Sequence, residues 1–146
     1  MLYLLARMAD RAVAISTDQV ESVVDIGPLV PVPGAPPEVE GLAALRSRVM
    51  TVIGSRAALG ARDTAATTPR AVVTVIDGHR YAILVDSLED VAPFECRPLP
   101  SGLALGGRWA AAARGLVEAE GEPVVSVWLR ALIPGLAPVP ADAPAA

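Results

Sequence analysis

Residues 30–53 read VPVPGAPPEVEGLAALRSRVMTVI: a proline-rich run passes, with no polar linker, into an apolar segment interrupted only by Arg46, Ser47 and Arg48. Each proline fixes its own backbone angle, so the first part is a stiff loop. The second part reads as a strand opened by Gly41-Leu42 and a buried strand around VMTVI, because aliphatic and β-branched side chains suit a pleated surface. A stiff loop also presents a preorganised surface, since little conformational entropy is left to lose on docking. The stretch therefore predicts a β protein whose rigid loop delivers the chain to a sheet and holds Arg46 at the surface.

Outward from this stretch, the same order of elements occurs twice. YLLARM and AVAIS pair across a tight turn at Ala9 and Asp10, while AVVTVI and RYAILV flank Asp77-Gly78. The Asp-Gly pair suits the positive backbone angles of a two-residue type I′ hairpin turn. After each hairpin comes the pattern D-x-[VL]-E-x-V, at Asp18–Val23 and again 68 residues later at Asp86–Val91. Each aspartate is placed to cap a short helical turn or bend. Gly41-Leu42 then matches Gly115-Leu116, and residues 55–59 match 129–133, at a spacing of 74. The expected organisation is one domain over 1–134, with a first barrel over roughly 13–66 and a second over 67–134, the N-terminal strands being candidates for exchange between them. Residues 135–146 are Pro- and Ala-rich and are expected to form a disordered tail. Residues 97–114 are the least readable: their alanines offer a helical turn, and Trp109 either packs or is exposed.

The 146 residues are enough for one core without disulfides or metals, whereas half that length is too small to fold alone. Hydrophobic residues make up 53% but aromatic ones only 3%, so the core must be built from Val, Leu, Ile and Ala. The net charge of −4, with scattered arginines as the only strong cations, argues against a nucleic-acid binder, which needs a clustered basic face. No apolar run approaches the roughly 20 residues that cross a bilayer, and MLYLLA meets Arg7 at once. A cytoplasmic chain with no direct membrane insertion is expected.

Catalytic patterns are missing. His79 is the only histidine and sits beside the Asp77-Gly78 turn, and Cys96 is the only cysteine, which excludes an internal disulfide and leaves a buried or idle thiol. One His and one Cys make neither a triad nor a metal cluster. Leu105-Gly106-Gly107-Arg108 lacks the Gly-Lys-Ser/Thr ending of a phosphate loop, and Glu118, Glu120 and Glu122 alternate as a solvated face. No enzyme, cofactor or metal is expected.

The chain resembles the CheW family, the adaptors of bacterial chemotaxis, over about residues 3–134. The family pattern V-P-x-x-P followed by G-x-x-N-L-R-G is matched by Val32-Pro33-Gly34-Ala35-Pro36 and by Gly41 to Ser47. The pattern P-x-x-D-L-R is matched by Thr51 to Arg56, and G-x-R-x-G-L-L-V-D-x-V-x-D-V by Gly78 to Val91. Ala44 replaces the family's Asn, Ser47 its Gly, Thr51 its Pro and Gly54 its Asp, while Trp128 replaces an Asp or Asn. The resemblance implies an all-β fold of two five-stranded, Src-homology-3-like β-barrels around a shared hydrophobic core. It also implies a non-catalytic adaptor that couples chemoreceptor tips to the regulatory domain of the histidine kinase CheA, in receptor arrays at the membrane.

By the same resemblance Arg46 falls at the Arg of N-L-R-G, near the receptor contact, where a guanidinium pairs with carboxylates. Val20, Val23 and Val24 in the first repeat, and Val85, Leu88 and Val91 in the second, correspond to positions lining a groove for a receptor helix. Leu29, Val30 and Val32 form a candidate kinase patch among the prolines. Core packing accounts for both valine sets, and for the loop patch, equally well. Two other functions stay open: a regulator of the same fold with one partner in a kinase pathway other than motility, and a small-ligand-binding β protein.

Overall fold

The computed structural model describes residues 1–136. It contains ten strands, β1 (Leu2–Met8), β2 (Arg11–Ser16), β3 (Ser22–Asp25), β4 (Val39–Leu45), β5 (Arg48–Gly54), β6 (Arg70–Ile76), β7 (His79–Leu84), β8 (Ser87–Pro93), β9 (Ala113–Ala119) and β10 (Glu122–Val127), with short helices α1 (Ser55–Ala58) and α2 (Gly107–Ala112). They form two five-stranded sheets, one ordered β8-β1-β2-β10-β9 and the other β3-β6-β7-β5-β4.

Each hairpin joins the sheet built mainly from the opposite half of the chain. The β1–β2 hairpin lies between β8 and β10, with Val13 paired in parallel to Val125. The β6–β7 hairpin lies between β3 and β5. One sheet is thus drawn from residues 22–84, and the other from 2–16 together with 87–127, so the sheets divide the chain elsewhere than at residue 66.

The alternation of side chains explains why LYLLA is apolar throughout. Leu4, Ala6 and Met8 face a large core shared with the other sheet, where they join Ile53, Val72 and Ile83, whereas Tyr3 packs on the opposite face with Ala14 and Val117. The second sheet has its own small core around Met50, Val52, Val73 and Ala82. Both faces of the central strands are buried, as continuous apolar runs require.

The sheets are open rather than closed barrels. After β3 the chain curls back along the free edge of β4, where Val30 N–H donates to the Leu42 carbonyl at 2.9 Å and Leu42 N–H donates to the Val30 carbonyl at 2.8 Å. Pro28, two residues before Val30 and the next position that would donate to β4 on that side, has no N–H, so the ladder cannot extend in that direction. Arg97 repeats the device against Leu116, again beside a proline, Pro98. The repeated Gly-Leu pairs have a matching cause: a Cβ at Gly41 would lie 2.7 Å from the Val30 carbonyl oxygen, and one at Gly115 would strike the Arg97 carbonyl.

Four hairpins turn on two residues of positive φ: Ala9-Asp10, Arg46-Ser47, Asp77-Gly78 and Glu120-Gly121. Glycine occupies the second position only in the later two, so Ser47 adopts φ 65° with a Cβ that disfavours it. Ser47→Gly is expected to stabilise the fold by about 0.5 to 1 kcal/mol, read as a higher denaturation midpoint at unchanged slope. The same change at Asp10 is not expected to stabilise, because that side chain is engaged as described below.

Candidate partner-binding groove

The chain passes between the sheets at two points, and these crossings create the groove. At the second, Val85 N–H donates to the Arg70 carbonyl at 3.0 Å in one sheet, and the next residue, Asp86, donates to the Arg7 carbonyl at 2.8 Å in the other. At the first crossing, residues 17–21, the Gln19 side chain donates to the Val127 carbonyl and accepts from Leu129 N–H, while Glu21 N–H donates to the Val73 carbonyl. The strands leaving the crossings, β3 and β8, are the edges of their sheets. The groove where they approach is lined by Asp25 of β3, by Thr68, Pro69 and Arg70, and by Asp86, Ser87 and Leu88. Arg70 and Asp25 form an exposed ion pair at 2.7 Å on its rim.

The expected receptor residues divide by burial. Val23 is 40% exposed, and its repeat counterpart on β8, Val91, is 50% exposed. Val20 and Leu88 are half-buried, each with one side on the shared core. Val24 is half-buried against the small core of its own sheet. Val85 is 2% exposed in the shared core, so it is a packing residue with no surface to offer; the parity of a strand end turned it inward. Arg46 is exposed at the tip of the β4–β5 hairpin and makes no hydrogen bond or ion pair with the described residues. It lies on the strand pair at the opposite edge of its sheet from β3, so it does not line the groove between β3 and β8. Of the expected kinase patch, Val30 and Val32 are exposed while Leu29 packs on the small core.

Three charged side chains, Arg56, Asp10 and Asp86, meet beside the groove. The Arg56 guanidinium, its side chain only 9% exposed, forks onto Asp10 at 3.1 and 3.0 Å and also donates to both Asp86 carboxylate oxygens at 3.2 and 3.1 Å. Its Nε–H donates to the Asp63 carbonyl at 2.7 Å. Asp86 also accepts the backbone N–H of Asp10 at 2.8 Å. The hydrogen bonds from Arg56 hold the Asp10 carboxyl below its usual range. Asp86 is therefore an ion-pair partner, not a cap. The helical turn expected after each hairpin exists only at Thr17–Gln19, without a side-chain cap, since β8 begins directly after Asp86.

The departures from the family pattern have local partners. A Cβ at Gly54 would sit 2.5 Å from a Glu40 carboxylate oxygen, so Glu40 occupies the room that an aspartate there would need. The Thr51 hydroxyl lies 3.0 Å from His79 Nε2. The Trp128 ring receives the Arg114 guanidinium at 4.0 Å. Ala44 is exposed on β4, and nothing in the structure explains it. Trp109, on α2, is half-buried on the shared core, and Arg108 ties α2 to Glu38 at 2.8 Å and to the Ala57 carbonyl at 2.9 Å. Half-buried Cys96 packs inside the first sheet, with its sulfur 3.3 Å from the Ser126 hydroxyl. Leu136 also packs on the shared core, and the remainder of the expected tail, from residue 137, lies outside the described residues. Among the described residues no helix is long and apolar enough to cross a membrane.

Two five-stranded sheets sharing one core, with a groove between their edge strands, define an all-β fold of two packed sheets. A family model for the CheW-like domain matches residues 2–135, and the chain belongs to that family, whose members serve as chemotaxis scaffolds and couplers. The fold agrees: the crystal structure of the scaffolding protein TtCheW from Thermoanaerobacter tengcongensis superposes with a TM-score of 0.76 over 90% of each chain, at 20% sequence identity. A comparison with curated protein sequences returns no match.

Proposed function

We propose that this protein is a chemotaxis coupler that joins the cytoplasmic tips of chemoreceptors to the regulatory domain of the histidine kinase CheA, working in the cytoplasm at receptor arrays. The observation that carries the reading is the groove lined by Asp25 of β3 and by Asp86, Ser87 and Leu88 at the start of β8, with Val23 exposed on β3 and Val20 half-buried on the turn before it. A helix laying an apolar stripe into such a groove buries these side chains. Arg46, exposed at a hairpin tip and unpaired among the described residues, supplies a separate cation for receptor carboxylates. Val30 and Val32, held out by the proline loop, supply an apolar face on another part of the surface for the kinase domain.

The test is a pair of titrations of wild type and Arg46→Glu, one against a receptor-tip fragment and one against the kinase regulatory domain, with a thermal melt as control. Receptor binding should weaken by about 1 to 3 kcal/mol, kinase binding should hold, and stability should change by about half a kcal/mol or less. Equal loss of both affinities together with a lowered melt would make Arg46 structural. A wild-type protein that binds the kinase domain but not the receptor fragment would favour the single-partner regulator.

A further inference from the structure

Arg56 and Asp86 fall in two separate family-like motifs, and neither is accounted for by docking residues alone. Their position is at the point where the chain changes sheets. Asp86 is the first residue bonded to the β1 side after Val85 leaves the other sheet, and its carboxylate is fixed at that point by Arg56 of α1 and by the backbone of Asp10. Asp10 itself sits at the tip of the β1–β2 hairpin, in the sheet that contains β8. Arg56 follows directly on β5, in the sheet that contains β3. One guanidinium thus holds the two sheets to each other, and the residue it grips, Asp86, also forms part of the groove wall.

We propose that Arg56, Asp86 and Asp10 form a clamp that fixes the spacing of β3 and β8, and so sets the affinity of the groove for an incoming helix. The inference rests on the reading of the groove as a docking site, but the spacing itself can be measured without a partner. A forked guanidinium–carboxylate pair has one favoured geometry, in contrast to a single-point contact, so it constrains angle as well as distance. The Asp10 carboxylate is 76% exposed and is not among the groove-lining residues, so any effect of its charge on the groove must pass through the clamp.

The experiment places spin labels at Val23→Cys and Val91→Cys, the exposed counterparts on the two edge strands, in a Cys96→Ser background. Asp10→Asn is the decisive variant, because asparagine tolerates the positive φ at this turn and removes only the charge. Asp86→Asn is the stronger second variant. The clamped protein should give one narrow inter-label distance; Asp10→Asn should shift or broaden it and, in the unlabelled protein with Val23 and Val91 intact, weaken receptor-fragment binding about fivefold, leaving kinase-domain binding unchanged. A folded Asp10→Asn protein with the wild-type distance distribution overturns the clamp. If wild type itself fails to bind the receptor fragment, the docking reading falls, and the distance measurement still decides the clamp on its own.

Discussion

Residues 17–85 expressed alone should give no cooperative melt and no dispersed amide spectrum, although they contain every strand of one complete sheet. That fragment would expose the sheet face that carries Ile53, Leu59, Val72, Ile83 and Val85, all buried in the intact chain. Exposing five such side chains at about 2 kcal/mol each forfeits about 10 kcal/mol, which is comparable with the whole stability of an ordinary domain. Residues 1–66 should fare worse, because β3 loses β6, its sole ladder partner, and the first hairpin loses both β8 and β10. A cooperative transition in residues 17–85 would show that the shared core is dispensable. Fragment complementation is the positive control: mixing 1–66 with 67–136 should recover a single melt.

Arg56→Ala should lower the melting temperature by about 10 °C. Removing the guanidinium leaves Asp86, its side chain 12% exposed, as a near-buried carboxylate stripped of its countercharge, and frees the hairpin tip at Asp10. The acid limb of stability should change as well. Arg56 depresses the Asp10 carboxyl below its ordinary value of 3.8, so the pairing is fully present above that pH and is lost as the pH falls through the lower folded value. In Arg56→Ala this part of the acid dependence should disappear. Melts of both proteins at neutral pH and through the range below pH 4 check both statements; an unchanged melting temperature would mean that water satisfies the two aspartates as well as the arginine does.

Much of the fold was legible because it rests on local chemistry. Asp77-Gly78 announces its turn through the backbone angles it permits, and Gly41-Leu42 with Gly115-Leu116 announced a duplication whose cause is a carbonyl lying against each glycine. What the sequence hides is partnership. Periodicity shows that β1 and β2 pair with each other, but nothing in LYLLARM says that β8 and β10 flank them. Barrel closure is not met: beyond β3 the chain returns to β4 through a single bridge at Val30, and no periodicity in the proline loop announces where pairing stops. At the site, Val85 and Val23 look alike as letters, and only the register separates a core residue from an exposed one. The Arg56 network joins residues 10, 56 and 86, too far apart along the chain for any spacing rule to connect.

The strand exchange also dictates an order of events during synthesis. The sheet from residues 22–84 is contiguous and can assemble its pairings as it leaves the ribosome. The first hairpin emerges before it, yet Val13 must wait for Val125. At roughly 5–20 residues per second that wait lasts on the order of 5 to 20 seconds, during which the edge of β2 that β10 will pair has no permanent partner. The nascent chain is therefore most vulnerable at the β1–β2 hairpin, and a chaperone that shields residues 2–16 would act where protection is needed longest.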